Sequence, residues 1–505
     1  MTNYTRKLFK GASWIFIFTF LAAILSYLLR LVLARNLTLT EFGLFYAVYS
    51  FISFFLIFQE AGLGNALVKY LTKFKLEKKY NHIKSAIYYV LGIRVFLAIL
   101  TAIVFILISG FLSINYFHNP DAKPIIILLS LWFIGISITS TIAKTFQGLQ
   151  KLARFSSVVF IMDLFIVVFT IVLLKSGFKL MAPVYSFIIA ILITFIIFFP
   201  WLVSTFNFFK YKFIKSFSIV KKLFSFAIPS AVLSVSAKII SQSDVLILTY
   251  FKPLEAVGIY NVILPTAMLF LFFGKSIQQT IFPISGEMSS KKENKKLSRG
   301  LNLIQKYLFI LITPIILILF SFTKLFLGLV FGANYIPGHI AMKILLLGVT
   351  FYLLAIISVG VLMGIGKPMK ATKIILCLAL INIVLNFILI PSLGIIGAAI
   401  STSATYLLGF IFLTSTALKE LKYKFPTRIW LKALLACGAF AITIYILKGI
   451  LVFKPWIEFF IVLSLSTILY GLLLFIMKIV NKQEISYLIK RVRFKGNAFK
   501  MVPKN

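Results

Sequence analysis

Hydrophobic runs dominate this chain, and their length decides what it can fold into. Fourteen apolar stretches of roughly 20 residues follow one another, each long enough to cross a ~30 Å hydrocarbon layer. Their approximate bounds are 12–34, 42–66, 85–113, 124–143, 156–174, 181–204, 223–250, 256–284, 307–332, 338–363, 374–391, 395–418, 433–447 and 455–477. In oil the backbone must satisfy its own hydrogen bonds, so only helices or closed barrels are available. Barrel strands alternate over about 10 residues, whereas these runs are continuous and about twice as long. The expected fold is an all-α integral membrane protein of about 14 transmembrane helices.

Positive charge alternates along this ladder. The N-terminus, every second loop and the C-terminus hold about 39 Lys and Arg; the other seven loops hold about 7. Lys and Arg concentrate on the cytoplasmic side, so both termini are expected there, in the cell membrane. The formal net charge of +40 is then a property of loops facing an anionic inner leaflet. It calls for membrane lipids as partners and for no nucleic acid.

Arg6, Lys7 and Lys10 precede an apolar run too long for a signal-peptide core, and no small-x-small site follows it. Cys377 and Cys437 fall in separate spans, which argues against a disulfide or a metal site. The outer loops are about ten residues at most, leaving no room for an extracellular domain. Two inner segments, 206–223 and 485–494, interleave aromatic or aliphatic residues with Lys and Arg. Each is readable as an interfacial amphipathic helix or as a basic tether.

An internal repeat is visible. Gly43 matches Gly258 at an offset of about 215, Gly148 matches Gly364 at about 216, and Gly177 matches Gly394 at about 217. Six spans separate the partners, so orientation is preserved and the halves are parallel repeats. The expected organisation is an N-terminal lobe at 1–210, a C-terminal lobe at 211–425, two extra helices within 426–480 and a basic cytoplasmic tail at 481–505. Two six-helix lobes around a central cleft are the plan of an alternating-access transporter. No catalytic motif interrupts it: Gly366-Lys367 runs into Pro368 instead of a Walker A, and neither H-E-x-x-H nor G-x-S-x-G occurs. No cofactor is expected, and the chain is not expected to be an enzyme. Energy would come from an ion gradient, the membrane potential or the substrate's own gradient; whether H⁺ or Na⁺ is coupled stays open.

Six basic residues lie inside spans: Arg30, Arg94, Lys238, Lys275, Lys324 and Lys343. Each costs roughly 2.5–3.5 kcal/mol at a helix centre on insertion scales. Lys324 and Lys343 are close enough to span ends to snorkel. Arg30, Arg94, Lys238 and Lys275 are read as lining a cationic, wet cleft that binds substrate; snorkelling is an alternative for Arg30. Acids are fewer: Asp163, Asp244 and Glu60 are candidates for coupling or for ion pairs. Gln242, Gln278, Asn382 and Asn386 offer polar contacts in the cavity, although such groups also bond helix to helix. Bases outnumber acids at mid-membrane, and such a cleft attracts anions. Arg can grip a pyrophosphate bidentately and Lys as a point charge.

Several short motifs occur in a telling order. They are Leu33-Ala34-Arg35-Asn36-Leu37 with Glu41-Phe42-Gly43-Leu44-Phe45; Phe226-Ala227-Ile228-Pro229; Ser243-Asp244 with Val257-Gly258-Ile259-Tyr260-Asn261; Phe331-Gly332-Ala333-Asn334-Tyr335; and Asn386-Phe387-Ile388-Leu389-Ile390-Pro391 with Gly394-Ile395-Ile396-Gly397-Ala398-Ala399. In these the chain resembles, over nearly its whole length, the polysaccharide-exporter branch of the multidrug/oligosaccharidyl-lipid/polysaccharide superfamily, the Wzx-like flippases. The resemblance implies two six-helix bundles in a V, often with two extra helices. It also implies transfer of a polyprenyl-(pyro)phosphate-linked oligosaccharide, an anionic lipid-linked glycan, from the inner to the outer leaflet. The protein would function as a monomer, in association with polysaccharide-assembly proteins.

Drug-exporting relatives typically use an acid in span 1 for coupling; here span 1 carries Arg30 and no acid. A cation-coupled drug or metabolite antiporter remains the alternative on this fold. A membrane oligosaccharide polymerase or ligase would need a sizeable outer loop. A major-facilitator symporter would need a Gly/Asp/Arg signature between spans 2 and 3, which is missing.

Overall fold

The computed structural model describes residues 3–60, 62–422, 427–450 and 455–477. Among these residues the regular structure is helical throughout, with no strand. In chain order the helices are α1 (Asn3–Asn36), α2 (Leu39–Glu60), α3 (Leu63–Leu76), α4 (Tyr80–Asn115), α5 (Ala122–Gly148), α6 (Leu152–Lys175), α7 (Met181–Thr205), α8 (Phe217–Phe251) and α9 (Leu254–Met268). They continue as α10 (Leu271–Ser290), α11 (Asn294–Ser321), α12 (Thr323–Val330), a 3₁₀ turn (Ala333–Gly338), α13 (His339–Gly364), α14 (Pro368–Leu393), α15 (Ile395–Glu420), α16 (Thr427–Ile450) and α17 (Pro455–Ile476). Among the described residues thirteen spans are long and apolar enough to cross a membrane, and a fourteenth arises if α9 and α10, bent by 45°, form one. The chain is therefore a multi-pass helical membrane protein. Outward side chains agree: Phe96, Leu107 and Phe111 on α4 are 66%, 78% and 67% exposed, a face made for lipid and not for water.

Helix ends follow from local chemistry. At the start of α2 the Thr38 amide donates to Glu41 Oε2 (2.9 Å) and the Glu41 amide donates to Thr38 Oγ1 (3.2 Å). This reciprocal capping box satisfies two amides that a helix leaves open. Span 2 breaks between α2 and α3, where Gly62 has φ +70°. A Cβ there would lie 2.1 Å from the Ala227 carbonyl oxygen of α8, so the approach of the two helices demands glycine. In span 8, Pro265 sits in the last turn before the bend and removes a backbone donor.

The chain forms two compact units. The first comprises Met1–Leu269, Leu327–Gly348 and Met369–Gly409, and so draws on both sequence halves. One of its cores joins Leu67, Leu71, Ile83 and Ile87 to Phe206, Leu223 and Ala227; another gathers Ile142, Phe146, Val158, Phe198 and Leu202. The second unit comprises Phe270–Phe326, Val349–Pro368 and Phe410–Asn505. Within it Gly274 of α10 packs on Leu353 and Ile356 of α13, and Gly364 of α13 packs back on the Phe282 carbonyl. Buried Gln305 of α11 donates to the Leu354 carbonyl (2.9 Å) and to Ser358 Oγ (3.1 Å), tying α11 to α13.

The ends of spans 4 and 10, matched in the sequence, close in the same way. After span 4 the Lys151 amide closes on the Phe146 carbonyl (2.8 Å); after span 10 the Lys367 amide closes on Leu362 (2.9 Å). Both closures need a left-handed residue, Gln150 at φ 63° and Gly366 at φ 78°.

The segment 206–223 is neither a continuous amphipathic helix nor a loose tether. Residues 217–223 open α8, and 206–216 form a non-helical strap along α4. Lys84 Nζ donates to the Phe208 and Tyr211 carbonyls (2.8 Å each). The Ile214 amide donates to Ser85 Oγ (2.8 Å), and the Ser216 amide to the Tyr89 hydroxyl (3.0 Å). The other basic segment, 485–494, lies outside the described residues.

Candidate functional site

Three polar clusters interrupt the apolar interior of the first unit. One is a cavity of about 220 Å³ lined by Gln59, Glu60, Arg94, Ser140, Ser234 and Lys238, among others. Arg94 is 1% exposed, so its position has to be stabilised by hydrogen bonds. Its guanidinium donates to Thr141 Oγ1 (3.0 Å) and Ser140 Oγ (2.7 Å), both on α5, and Nε keeps no partner. Gln59 donates to the Phe133 carbonyl (2.9 Å) and leaves Oε1 unpartnered. Neither Arg94 nor Lys238 forms an ion pair among the described residues. Two cations without a contact ion pair, Glu60 on the same wall, and orphaned polar atoms beside them make this the most polar part of an apolar interior.

A second, smaller pocket of about 90 Å³ is lined by Ser26, Arg30, Tyr46, Tyr49, Trp132 and Asp163, with apolar neighbours. The Arg30 guanidinium lies over the Tyr46 ring, 4.7 Å from its centre. Arg30 and Asp163 share this pocket without closing a salt bridge. Arg30 Nε and Trp132 Nε1 are buried without partners.

The third cluster is a buried network around Asp244 of α8. Asp244 Oδ2 accepts from the Tyr260 hydroxyl (2.6 Å) and from Thr402 Oγ1 (2.7 Å). Asp244 Oδ1 accepts from Ser243 Oγ (3.3 Å) and Asn386 Nδ2 (3.4 Å). Ser243 Oγ also donates to Asn382 Oδ1 (2.7 Å), and Asn382 Nδ2 donates to Thr405 Oγ1 (3.3 Å). The carboxylate is hydrogen-bonded at both oxygens but closes no ion pair among the described residues, and Asn386 Oδ1 is unsatisfied.

The structure thus brings Arg94, Lys238 and Glu60 together, places Arg30 with Asp163 elsewhere in the same unit, and joins Asp244 to Asn382 and Asn386. Gln242 stands half-buried on α8. Lys275 and Gln278 lie on α10 in the second unit, Lys275 exposed and Gln278 packed against Gly360. Lys324 is exposed in the first turn of α12, and Lys343 is half-buried in α13. Sequence reasoning missed Ser140 and Thr141, although the run Ser137-Ile138-Thr139-Ser140-Thr141 is unusually polar for a span. It also missed Thr402 and the buried Lys306 of α11.

Comparison with known proteins agrees with this architecture. An uncharacterized membrane protein of Methanocaldococcus jannaschii is 29% identical, over 97% of this chain and 99% of its own length. A protein of Haloferax volcanii described as a probable low-salt glycan biosynthesis flippase, Agl15, is 26% identical over 38% of this chain and 40% of its own length. The structure of the lipid II flippase MurJ in an inward closed conformation superposes with a TM-score of 0.74, at 17% identity, covering 95% of this chain and 99% of that one; at that identity the likeness shows the fold. A family model for MatE matches residues 229–388. The model for polysaccharide biosynthesis proteins matches residues 8–289, more than half the chain. This chain belongs to the polysaccharide biosynthesis protein family, within the polysaccharide-exporter branch of the multidrug/oligosaccharidyl-lipid/polysaccharide superfamily, a family of membrane transporters and not of enzymes.

Proposed function

We propose that this chain is a flippase carrying a polyprenyl-(pyro)phosphate-linked oligosaccharide from the cytoplasmic to the outer leaflet of the cell membrane. The single observation that carries this reading is the pair Arg94 and Lys238, lining one cavity in which neither closes an ion pair among the described residues. A diphosphate supplies the missing counter-charge, and the serines beside it supply hydrogen bonds for sugar hydroxyls. The isoprenoid tail stays in lipid. The cavity, about 220 Å³, is below the ~300–1,000 Å³ of a drug-sized site, so admitting this substrate requires the lobes 1–210 and 211–425 to part. An inside-negative potential favours outward movement of an anion by ~2.3 kcal/mol per charge per 100 mV. The named flippases among the relatives support the substrate class; the sugar is left open.

Orientation in this reading places both termini, and the α3 end of span 2, on the cytoplasmic side. Coupling is assigned to Asp244: it is a buried carboxylate with oxygen donors from Ser243, Asn382, Asn386 and Thr402 around it, a set suited to Na⁺ or to a proton. Asn386 Oδ1, unpartnered, has a lone pair to give. When bound, the ion neutralises Asp244; the residues hold it and bias the helices that carry them. Asp163, the other intramembrane acid considered for coupling, shares its pocket with Arg30, which lowers its appeal for a cation. That same arginine disfavours a cationic drug as substrate.

The test is a leaflet-accessibility assay in proteoliposomes with a defined polyprenyl-diphosphate glycan. Wild-type protein should expose the glycan to an outside probe. A preparation that excludes the glycan from the outer leaflet but expels a fluorescent cation would replace this reading with drug antiport.

A further inference from the structure

We infer that Glu60 is the resident counter-ion of the cationic cavity: its carboxylate stands in for the substrate's phosphate when the carrier is empty and yields when the phosphate arrives. The inference rests on the flippase reading and concerns the regulation of that same site.

Glu60 is the last residue of α2, immediately before the break at Gly62. The break ends the helix and delivers the side chain to the cavity wall, beside Arg94 and Lys238. Its charge acts favourably on three cations, Arg94, Lys144 and Lys238. Yet it forms no ion pair with any of them within 4.0 Å. Glu60 is exposed, whereas Arg94 is buried and Lys238 half-buried. It is therefore an acid held at a distance, solvated and uncommitted.

That arrangement has a physical consequence. Arg94 and Lys238 put two positive charges on the wall of one cavity, and Lys144 stands near enough for Arg94 to repel it. An alternating-access carrier must also return without cargo, with these charges still in place. One nearby carboxylate lowers the energy of the empty cavity without filling it. A contact ion pair would have to break before each binding event; a separated one is displaced by a diphosphate, which carries more charge and more acceptor oxygens. Glu60 thereby weakens substrate binding and speeds the return step, the trade expected of a carrier that must release what it binds.

The experiment uses the full-length protein. Binding of inorganic pyrophosphate is measured on purified wild type, E60Q, E60A and E60D. Flipping of a short-chain polyprenyl-diphosphate disaccharide is then followed in proteoliposomes over a range of substrate. E60Q and E60A should bind pyrophosphate tighter by on the order of tenfold. Their half-saturating substrate concentration should fall, and their maximal rate should fall with it. E60D, which keeps the charge on a shorter side chain, should fall between E60Q and wild type in both parameters. If E60Q matches wild type in both parameters, or binds more weakly, while wild type binds and flips, the counter-ion assignment is overturned alone. Wild-type protein that neither binds pyrophosphate nor flips the glycan overturns the functional reading and this assignment with it.

Discussion

Gly43 of α2 and Gly258 of α9, separated by about 215 residues and equivalent in the internal repeat, pack directly against each other. A Cβ on Gly43 would lie 1.9 Å from the Leu254 carbonyl oxygen and 3.1 Å from the Gly258 amide nitrogen. A Cβ on Gly258 would lie 3.3 Å from the Gly43 Cα. Two backbones meet here with nothing between them. The crossing lies at the opposite end of α2 from the break at Gly62, where the chain packs closely on Ala227 of α8. In the proposed orientation it is the outer closure between the repeats, with the cationic cavity on its inner side.

This contact tolerates no side chain. Gly43→Ala should force α2 and α9 apart and destabilise the protein by about 1–3 kcal/mol. A thermal-unfolding series in detergent would show the loss. Gly110→Ala, which adds a Cβ with nothing within 4 Å, should leave the midpoint unchanged. Equal midpoints for the two variants would remove the crossing as a structural constraint.

Arg94 and Lys238 should differ in how they fail. Lys238→Gln removes a point charge and should cut the flipping rate by roughly tenfold or more, the range expected for loss of one close charge contact. Lys238→Glu should abolish flipping while leaving insertion intact. Arg94→Lys keeps the charge but loses the fork to Ser140 and Thr141, so it too should lose most activity. Wild-type rates in Lys238→Glu and Arg94→Lys would end the claim that these cations handle the substrate.

The strap is tested by proteolysis. Lys84 pins it through two carbonyls, and hydrogen bonds to a charged donor contribute about 1.5–3 kcal/mol each. Lys84→Met keeps the aliphatic stem and removes both bonds. Trypsin should then cut at the exposed Lys210, Lys212 and Lys215 markedly faster than in wild type. Unchanged cutting would mean that the aromatic contacts alone, such as Tyr80 on Tyr211 at 5.1 Å, hold the strap.

Much of this was legible in the sequence, and the divide has a physical cause. Span length and Lys/Arg placement are dictated by the bilayer, so the ladder of helices could be read directly. The glycine pairs were visible because a close crossing or a left-handed turn restricts the residue type. Which buried cation meets which partner was not legible, because that depends on helix rotation, and a span apolar on every face carries no moment to fix it. Arg30 and Arg94 are both read from the sequence as lining one cleft, with snorkelling an alternative for Arg30, yet they occupy different pockets. The α2–α3 break was also hidden: hydropathy runs through Gly62, and only the approach of Ala227 explains the kink. Likewise the strap could not be foreseen, since its hydrogen bonds are to Asn81, Ser85 and Tyr89, more than 120 residues upstream.

Asp244 should report coupling and not folding. Asp244→Asn is nearly isosteric and keeps an acceptor for Tyr260 and Thr402 while removing the charge. The protein should insert and unfold near the wild-type midpoint. Its flipping rate, measured in proteoliposomes with imposed Na⁺ or pH gradients, should lose whatever dependence on the gradient wild type has. A variant that responds to both gradients as wild type does would move coupling away from this network.

Closure at the α2–α9 end should be trappable. Thr40 Oγ1 donates to Glu255 Oε1 across the same crossing, one turn from the paired glycines. A Thr40→Cys, Glu255→Cys double variant should therefore be joined by a short thiol-reactive bifunctional reagent. In the proposed function and orientation, outward release requires these helices to separate, so the cross-linked carrier should bind pyrophosphate yet expose no glycan outside. Reductive cleavage of a disulfide-containing linker should restore flipping to the level of the untreated double variant. A cross-linked carrier that flips at full rate would show that the exit lies elsewhere, because a covalent tie only a few ångströms long cannot span an opening wide enough for a sugar.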